Sequence, residues 1–228
     1  MPIAILFSGG KDSTDTLWYY AEQGWDIACL LSLIPENPDS FLFQQPHEAL
    51  LRAQAAALGL PILVERTPGE QEAELEDLRR LLGRAKGEHG IAGVAVGALA
   101  SDYQHERVTR VCHDLGLKTF SPLWHKDQER LLREMLDAGF DIRITRVAAD
   151  GLDRTWLGRR LTGHDVDRLV ALNKSIGLHI GGEGGEYETV VLDGPLFRRP
   201  VGMCGEPRME GEHRGEFVIT SLPDAKSI

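Results

Sequence analysis

The chain has no excess of positive charge and no paired cysteines. Lysine and arginine number 25 against 35 aspartates and glutamates, and the formal net charge of −10 argues against a surface devoted to DNA or RNA. The three cysteines, Cys29, Cys112 and Cys204, are an odd number without C-x-x-C spacing, which argues against a disulfide framework and a zinc knuckle. We therefore expect a reducing, cytoplasmic setting.

Long hydrophobic runs are also missing. The longest apolar run, Ile91 to Ala100, contains two glycines and is far shorter than the roughly 20 residues that a membrane helix needs. Met1 leads into the apolar residues 3–7 without a positively charged leader, so we expect a first strand here rather than a signal peptide. No membrane association is predicted.

Strand-like runs alternate with helical stretches over the first half of the chain. The strand-like runs are Ile3–Phe7, Ile27–Leu33, Ile62–Glu65, Ile91–Val96 and Lys118–Ser121. Glycines punctuate the predicted helix ends at Gly24, Gly59, Gly116 and Gly139. Because apolar strands separated by helices favour a parallel sheet covered on both faces, we predict an α/β fold with a five-stranded parallel sheet.

The pattern changes after Pro122. A helix over about 127–138, an alternating strand over 141–147 and a helix over about 164–176 predict a smaller C-terminal α+β subdomain. We place the domains at 1–123 for nucleotide binding and 124–228 for substrate binding. The last dozen residues are expected to fray.

One short string joins the first predicted strand to the first predicted helix, Ser8-Gly9-Gly10-Lys11-Asp12-Ser13. Backbone N–H groups at a helix N-terminus attract anions, and adjacent glycines let the backbone approach phosphate oxygens. The serine hydroxyls would add donors and the lysine a charge, while Asp12 would hold Mg²⁺ or cap the helix. An ordinary capped turn is the alternative. The string matches neither the Walker A loop nor the Rossmann fingerprint.

A second cluster spans residues 181–189 and holds Glu183, Glu186 and Glu188 among four glycines. Carboxylates this close repel one another unless positive partners or hydrogen-bond donors neutralise them. A metal, an ammonium group or a cationic substrate is therefore expected at this cluster. A flexible acidic surface loop is the alternative interpretation.

The Ser8–Ser13 string matches the PP-loop signature, and the chain resembles the PP-loop ATP pyrophosphatases, which cleave ATP to AMP and pyrophosphate. That resemblance implies a sheet of adenine-nucleotide α-hydrolase, HUP-like type. With Gly97-Ala98-Leu99-Ala100-Ser101-Asp102-Tyr103-Gln104, Arg107 and the acidic cluster in order, the chain resembles the diphthine–ammonia ligase family in particular. One departure is Phe41-Leu42-Phe43-Gln44-Gln45-Pro46, where the family usually has an aromatic-Met-Tyr-His type segment.

The resemblance also implies the site residues. The nucleotide-binding residues it implies are Ser8, Gly9, Gly10, Lys11, Asp12, Ser13, Gly97, Ser101, Tyr103, Gln104 and Arg107. The catalytic residues it implies are Lys11, Asp12, Glu183, Glu186 and Glu188, with Asp12 as the Mg²⁺ ligand. Tyr187 or Trp156 would add a cation–π contact to the acceptor, although core packing is favoured for the tryptophan.

By the same resemblance, the chain is an ATP- and Mg²⁺-dependent amide ligase. It would amidate the diphthine carboxylate of elongation factor two with free ammonia through an acyl-adenylate, the last step of diphthamide biosynthesis. A homodimer is left open, and no stable nucleic-acid binding is expected. The alternatives are a PP-loop ligase or tRNA-modifying enzyme acting on another acceptor, and an ATP-binding sensor without catalysis.

Overall fold

Two units make up the chain, Met1–Trp124 and His125–Ile228. The computed structural model describes residues 1–36, 47–69, 71–97 and 102–223. The first unit holds a five-stranded sheet and the second a four-stranded sheet. Within the described ranges, none of the helices combines the length and apolarity that crossing a bilayer requires.

Strands and helices alternate in the first unit. Its strands are β1 (Ile3–Leu6), β2 (Ile27–Pro35), β3 (Ile62–Thr67), β4 (Gly93–Ala95) and β5 (Lys118–Phe120). Its helices are α1 (Lys11–Glu22), α2 (Glu48–Leu58), α3 (Gln71–His89) and α4 (Asp102–Asp114). The strands pair in parallel in the order β3-β2-β1-β4-β5, so the predicted five-stranded parallel sheet is confirmed.

The central strand β1 is covered on both faces. Ala4 and Leu6 belong to a core cluster with Leu81 of α3 and Val108 of α4. Successive side chains of a strand point to opposite faces, so Ile5, which is also fully buried, faces the other side of the sheet. Burial on both faces explains why the strands read as continuous apolar runs rather than alternating ones.

The predicted helix ends are confirmed at all four glycines. Gly24, Gly59, Gly116 and Gly139 have φ values of 71°, 71°, 66° and 93°. At the end of α2, the N–H of Gly59 donates back to the carbonyl groups of Ala55 and Ala56. These left-handed turns reverse the chain after each helix.

The strand order reverses between β1 and β4, because β2 and β3 extend the sheet on one side and β5 on the other. In open α/β sheets, a crevice for ligands opens at such a point, outside the carboxyl ends of the strands. The Ser8–Ser13 string follows β1, and Gly97 follows β4. The topology therefore brings the two predicted nucleotide segments to one crevice.

The second unit is built on an antiparallel sheet. Its elements are α5 (Gln128–Asp137), β6 (Asp141–Ala148), a short 3-10 helix (Arg154–Trp156), α6 (Gly163–Ile176), β7 (Tyr187–Asp193), β8 (Cys204–Met209) and β9 (Arg214–Ser221). The strand order is β7-β6-β9-β8. Residues 157–160 also bridge to the first half of β6, through Leu157 with Ile144 and Arg160 with Arg143.

The expectation of a fraying C-terminus is wrong for residues 217–221. These residues lie in β9, which pairs with β6 and with β8. The sequence signal was weak because β8 contains Gly205 and Pro207, residue types that are depleted in strands. Residues 224–228 lie outside the described part of the chain.

Gly194, directly after β7, offers a test of the packing in the second unit. A Cβ at this position would overlap the ring of Phe140, which is fully buried. Gly194→Ala should therefore lower the free energy of unfolding by about 1–3 kcal/mol, the usual cost of overpacking. Gly163→Ala is the matched control, because a Cβ there meets no atom within 4 Å at the start of α6. Urea denaturation measures both, and equal stabilities would contradict this account.

Candidate functional site

Hydrogen bonds within the Ser8–Ser13 turn, which we call the phosphate loop, fix its shape. The backbone N–H of Ser8 donates to the Oγ of Ser13 over 3.3 Å, and that hydroxyl donates to the carbonyl of Gly10 over 3.1 Å. The hydroxyl oxygens of the two serines are also 3.3 Å apart. Ser13 is only 4% exposed, so its hydroxyl closes the turn internally.

The first turn of α1 begins without a side-chain cap. Gly10 is the N-cap residue, with φ −81° and ψ 175°, and as a glycine it has no side chain that could cap the helix end. The first helical bond runs from the N–H of Thr14 to the carbonyl of Gly10. The N–H groups of residues 11–13 precede this ladder and lie at the positive end of the helix dipole. The arrangement favours an anion site over the alternative of an ordinary capped turn.

Lys11 and Asp12 form an ion pair within the loop. The Nζ of Lys11 lies 2.6 Å from Oδ1 and 2.7 Å from Oδ2 of Asp12. The lysine side chain is 4% exposed and the aspartate side chain 31% exposed. The buried cation therefore sits beside a carboxylate that solvent can reach.

Two glycines allow other parts of the unit to pack closely against the loop. Gly97 lies against the first turn of α1, since a Cβ there would come within 3.1 Å of the backbone of Asp12 and Ser13. Gly9 has a φ of 77°, and a Cβ there would overlap the side chain of Gln54. A cradle of bare backbone beside a lysine fits phosphate groups, and the carboxylate of Asp12 is a ligand type that suits Mg²⁺.

The remaining predicted nucleotide residues lie on or before α4. Ser101 lies outside the described residues, as does the segment 41–46. Tyr103 and Gln104 lie in α4, but their side chains are outside the described part of the chain. Arg107 lies one turn further along α4 and is half-buried. Their assignment to the nucleotide stays a prediction.

In the second unit, the acidic cluster forms a turn that its own side chains hold in place. Glu186 accepts the backbone N–H of His179 over 3.0 Å at Oε1 and that of Gly184 over 2.9 Å at Oε2. The N–H of Glu183 donates to the Nδ1 of His179 over 3.3 Å. Tyr187 donates its hydroxyl to the carbonyl of Ile180. We call residues 179–187 the acidic loop, and Glu186 is its internal brace.

Glu188 lies beyond the acidic loop, in β7. It stands opposite Arg146 of β6, and its Oε1 is 3.4 Å from an Nη of that arginine. Arg146 in turn stands opposite Glu216 of β9, and Glu216 is ion-paired with Arg208 of β8. Charges of alternating sign thus cross all four strands. Burial raises the pKa of Glu188 above its ordinary value of 4.5, while the charge of Arg146 opposes the rise.

The three predicted carboxylates therefore do not converge as the clustering suggested. Glu186 accepts from backbone N–H groups and Glu188 pairs with an arginine, so hydrogen-bond donors satisfy one carboxylate and a positive charge the other. Across the described ranges, no group of three His, Cys, Asp or Glu side chains could hold a metal ion. Glu183 lies half-exposed in the acidic loop.

Comparison with known proteins identifies the family. The model of the diphthamide synthase N-terminal domain matches residues 1–119, and that of the C-terminal domain matches residues 127–221. A diphthine–ammonia ligase of Rattus norvegicus is 38% identical over 220 residues, covering 88% of this chain and 82% of that protein. The chain belongs to the diphthine–ammonia ligase family. The Homo sapiens member is 37% identical, with the same shares covered.

Members of the family differ in length. The diphthine–ammonia ligase of Schizosaccharomyces pombe is 40% identical over 217 residues, but the match covers only 36% of that protein and 88% of this chain. Among solved structures, a predicted tRNA methyltransferase subunit from Methanocaldococcus jannaschii matches with a TM-score of 0.42 and 15% identity, covering 86% of this chain and 100% of that one.

The sequence did not predict three residues that support the phosphate loop, the acidic loop and Glu188. Gln54 donates its side-chain amide to the carbonyl of Gly9, His179 binds the acidic loop, and Arg146 pairs with Glu188. Only Gln54 left a signal, because it is a polar residue inside the apolar stripe of α2 that includes Leu51 and Leu58.

The pKa of Glu188 tests the charge pairing across the sheet. Because its folded-state pKa is raised, the carboxyl contributes stability below about pH 4.5 that is lost as the pH rises through the folded pKa. Arg146→Ala removes the opposing charge and should raise the pKa of Glu188 further. Carbon NMR titration of the side-chain carboxyl measures it. Arg154→Ala is the control and should leave the pKa unchanged, whereas a fall in Arg146→Ala would refute the pairing.

The bracing role of Glu186 makes a separate prediction. In Glu186→Gln, an amide NH₂ replaces one of the two oxygens and faces a backbone N–H, so one charge-assisted bond is lost. Amide exchange at His179 and Gly184 should accelerate by about tenfold or more, since such bonds contribute about 1.5–3 kcal/mol. Hydrogen exchange followed by NMR measures this rate. Glu183→Gln should change these rates less than about twofold, and similar rates in both variants would show that Glu186 does not brace the loop.

Proposed function

We propose that the chain is an ATP-dependent ligase that amidates the diphthine carboxylate of elongation factor two with ammonia, releasing AMP and pyrophosphate. Curated relatives of the family carry the name diphthine–ammonia ligase. The observation that supports the proposal most is the phosphate loop, an uncapped turn of bare backbone at the point where the strand order reverses. Its shape suits the polyphosphate of ATP.

The residues of the loop act by position and charge. The N–H groups of residues 11–13 and the Nζ of Lys11 would bind the β and γ phosphates and stabilise the departing pyrophosphate. Asp12, the more exposed partner of the ion pair, would hold Mg²⁺. Bound Mg²⁺ supplies charge neutralisation at the phosphate oxygens. A bound phosphate would be a further partner of opposite charge for Lys11, and a bound metal ion would be one for Asp12.

The reaction proceeds in two displacements. An oxygen of the acceptor carboxylate attacks the α-phosphorus of ATP, the bond to the β-phosphate oxygen breaks, and pyrophosphate leaves. The nitrogen of ammonia then attacks the acyl carbon, the bond to the AMP oxygen breaks, and the nitrogen loses a proton as the amide forms. The chain contributes binding and charge to these steps and needs no covalent intermediate of its own.

The acceptor would bind through the acidic loop. Diphthine carries a trimethylammonio group, and Glu183 would give the loop its negative face, while Glu186 keeps the loop in shape. The suggested cation–π contacts are not supported, because Trp156 is fully buried and Tyr187 is 2% exposed. Trp156 already has a cation, the guanidinium of Arg168, 4.2 Å from its ring centroid.

The proposal also covers the location of the enzyme and its partners. We infer a cytoplasmic enzyme whose partners are elongation factor two and free ammonia, with no stable nucleic-acid binding, and a homodimer stays open. The net charge of −10 supports the exclusion of nucleic acid.

The proposal is tested with diphthine-bearing elongation factor two, ATP, Mg²⁺ and ammonium. The mass of the factor should fall by about one dalton as OH is replaced by NH₂, with AMP and pyrophosphate appearing in equal amounts. Asp12→Ala should lower turnover by at least about 100-fold, the scale expected when a preorganised charge is lost at the reacting phosphates. Asp26→Ala is the matched control, because Asp26 is exposed and lies just before the amino end of β2.

Intact mass spectrometry of the factor and phosphorus NMR of the nucleotide read the two halves of the reaction. ADP and orthophosphate as products would refute the phosphate-loop chemistry. Amidation of another carboxylate, or modification of a tRNA, would keep ATP cleavage and overturn the acceptor. ATP binding without any turnover would favour the binding-only sensor.

A further inference from the structure

Gln54 is a buried polar residue that contacts the phosphate loop from another helix. It lies in α2 and is 1% exposed, and its Nε2 donates to the carbonyl oxygen of Gly9 over 2.9 Å. The two residues are 45 positions apart in the sequence. Burying an amide is costly unless it is hydrogen-bonded, so this contact stabilises both partners.

The amide packs closely against the loop backbone. A Cβ at Gly9 would overlap the Oε1 of Gln54, and the φ of 77° at Gly9 is itself strained for other residues. Gly9 is therefore restricted to glycine for two separate reasons. One is the backbone conformation, and the other is the side chain of Gln54.

The hydrogen bond fixes a peptide plane, not only an oxygen. The carbonyl of Gly9 and the N–H of Gly10 belong to one peptide unit, and no cis peptide bond occurs in the described chain. In a trans peptide, the two groups point in opposite directions. Because Gln54 holds the carbonyl toward α2, the N–H of Gly10 points away from α2, at the N-cap of α1.

We propose that Gln54 is a positioning residue for the nucleotide site: it holds the Gly9–Gly10 peptide so that the N–H of Gly10 faces the polyphosphate of ATP. Without this bond, the peptide could rotate and present a carbonyl oxygen to the phosphates. The N–H would then be lost as a donor, and a partial negative charge would replace it. The inference rests on the proposed ATP site and deepens it.

The test variant is Gln54→Met, which keeps the length of the side chain and removes its donor. Calorimetric titration with α,β-methylene-ATP and Mg²⁺ should show affinity reduced by about tenfold, equivalent to about 1.4 kcal/mol. The amide resonance of Gly10 should move in the unliganded variant. Leu51→Met is the matched control, because Leu51 is 1% exposed on the same helix and the swap conserves volume. Its affinity should stay within about twofold of the wild type.

Steady-state kinetics separate positioning from stability. Gln54→Met should raise the KM for ATP by about tenfold and leave the KM for ammonium within about twofold. A role in stability alone would reduce the number of active molecules and leave both KM values unchanged. If Gln54→Met does not fold, Gln54→Leu is the second variant, because its apolar side chain is of similar size and cannot donate to the Gly9 carbonyl.

The binding measurements distinguish three causes: the ATP site itself, the positioning role of Gln54 and the packing of α2. Failure of the wild-type protein to bind the ATP analogue would overturn the proposed ATP site itself. Tight binding by the wild type and by both Gln54 variants would overturn only the positioning role. Equal losses in Gln54→Met and Leu51→Met would assign the effect to packing of α2.

Discussion

A parallel sheet leaves a crevice where its strand order reverses, and both predicted nucleotide segments of this chain depend on that constraint. β1 and β4 are neighbours in the sheet although three helices and two strands separate them in sequence. The phosphate loop leaves β1 and Gly97 leaves β4, so the first turn of α1 comes to rest against bare backbone. The N-cap Gly10 has no side chain to cap this turn, and the N–H groups there lie at the positive end of the helix dipole, which favours an anion.

The sequence was sufficient for the parallel sheet because its signals are local. Apolar runs, helical spacing and glycines at helix ends recur with regular periods, and β1, β2 and β4 are buried along most of their length. The antiparallel sheet of the second unit was harder to predict. Only β6 was recognised, because β7 follows a glycine-rich loop and β8 carries Gly205 and Pro207. Pairing with β9, not local propensity, makes β8 a strand.

At the candidate sites too, features with a local sequence signal could be predicted and contacts between distant residues could not. The turn between β1 and α1 could be predicted because its signal lies in consecutive residues. The contacts that support it could not, since Gln54 approaches Gly9 from 45 residues away. For the acidic cluster, the sequence predicted a shared role for three glutamates because they are close in sequence, whereas their contacts differ. The structure gives Glu186 the backbone of its own loop and Glu188 an arginine 42 residues distant.

The order β7-β6-β9-β8 also has a consequence for synthesis on the ribosome. Of the four described strands of the second unit, β9 is the last to emerge, and it lies between β6 and β8. Until it emerges, the described sheet consists of the β6–β7 pair alone, and a two-stranded pair is marginal in water. Until then β8 has no partner strand in the described sheet. Pro207 lacks a backbone N–H, which disfavours incorrect pairing of β8 with another strand. The nascent first unit can fold early, whereas the second gains its cooperative stability only once β9 has been synthesised.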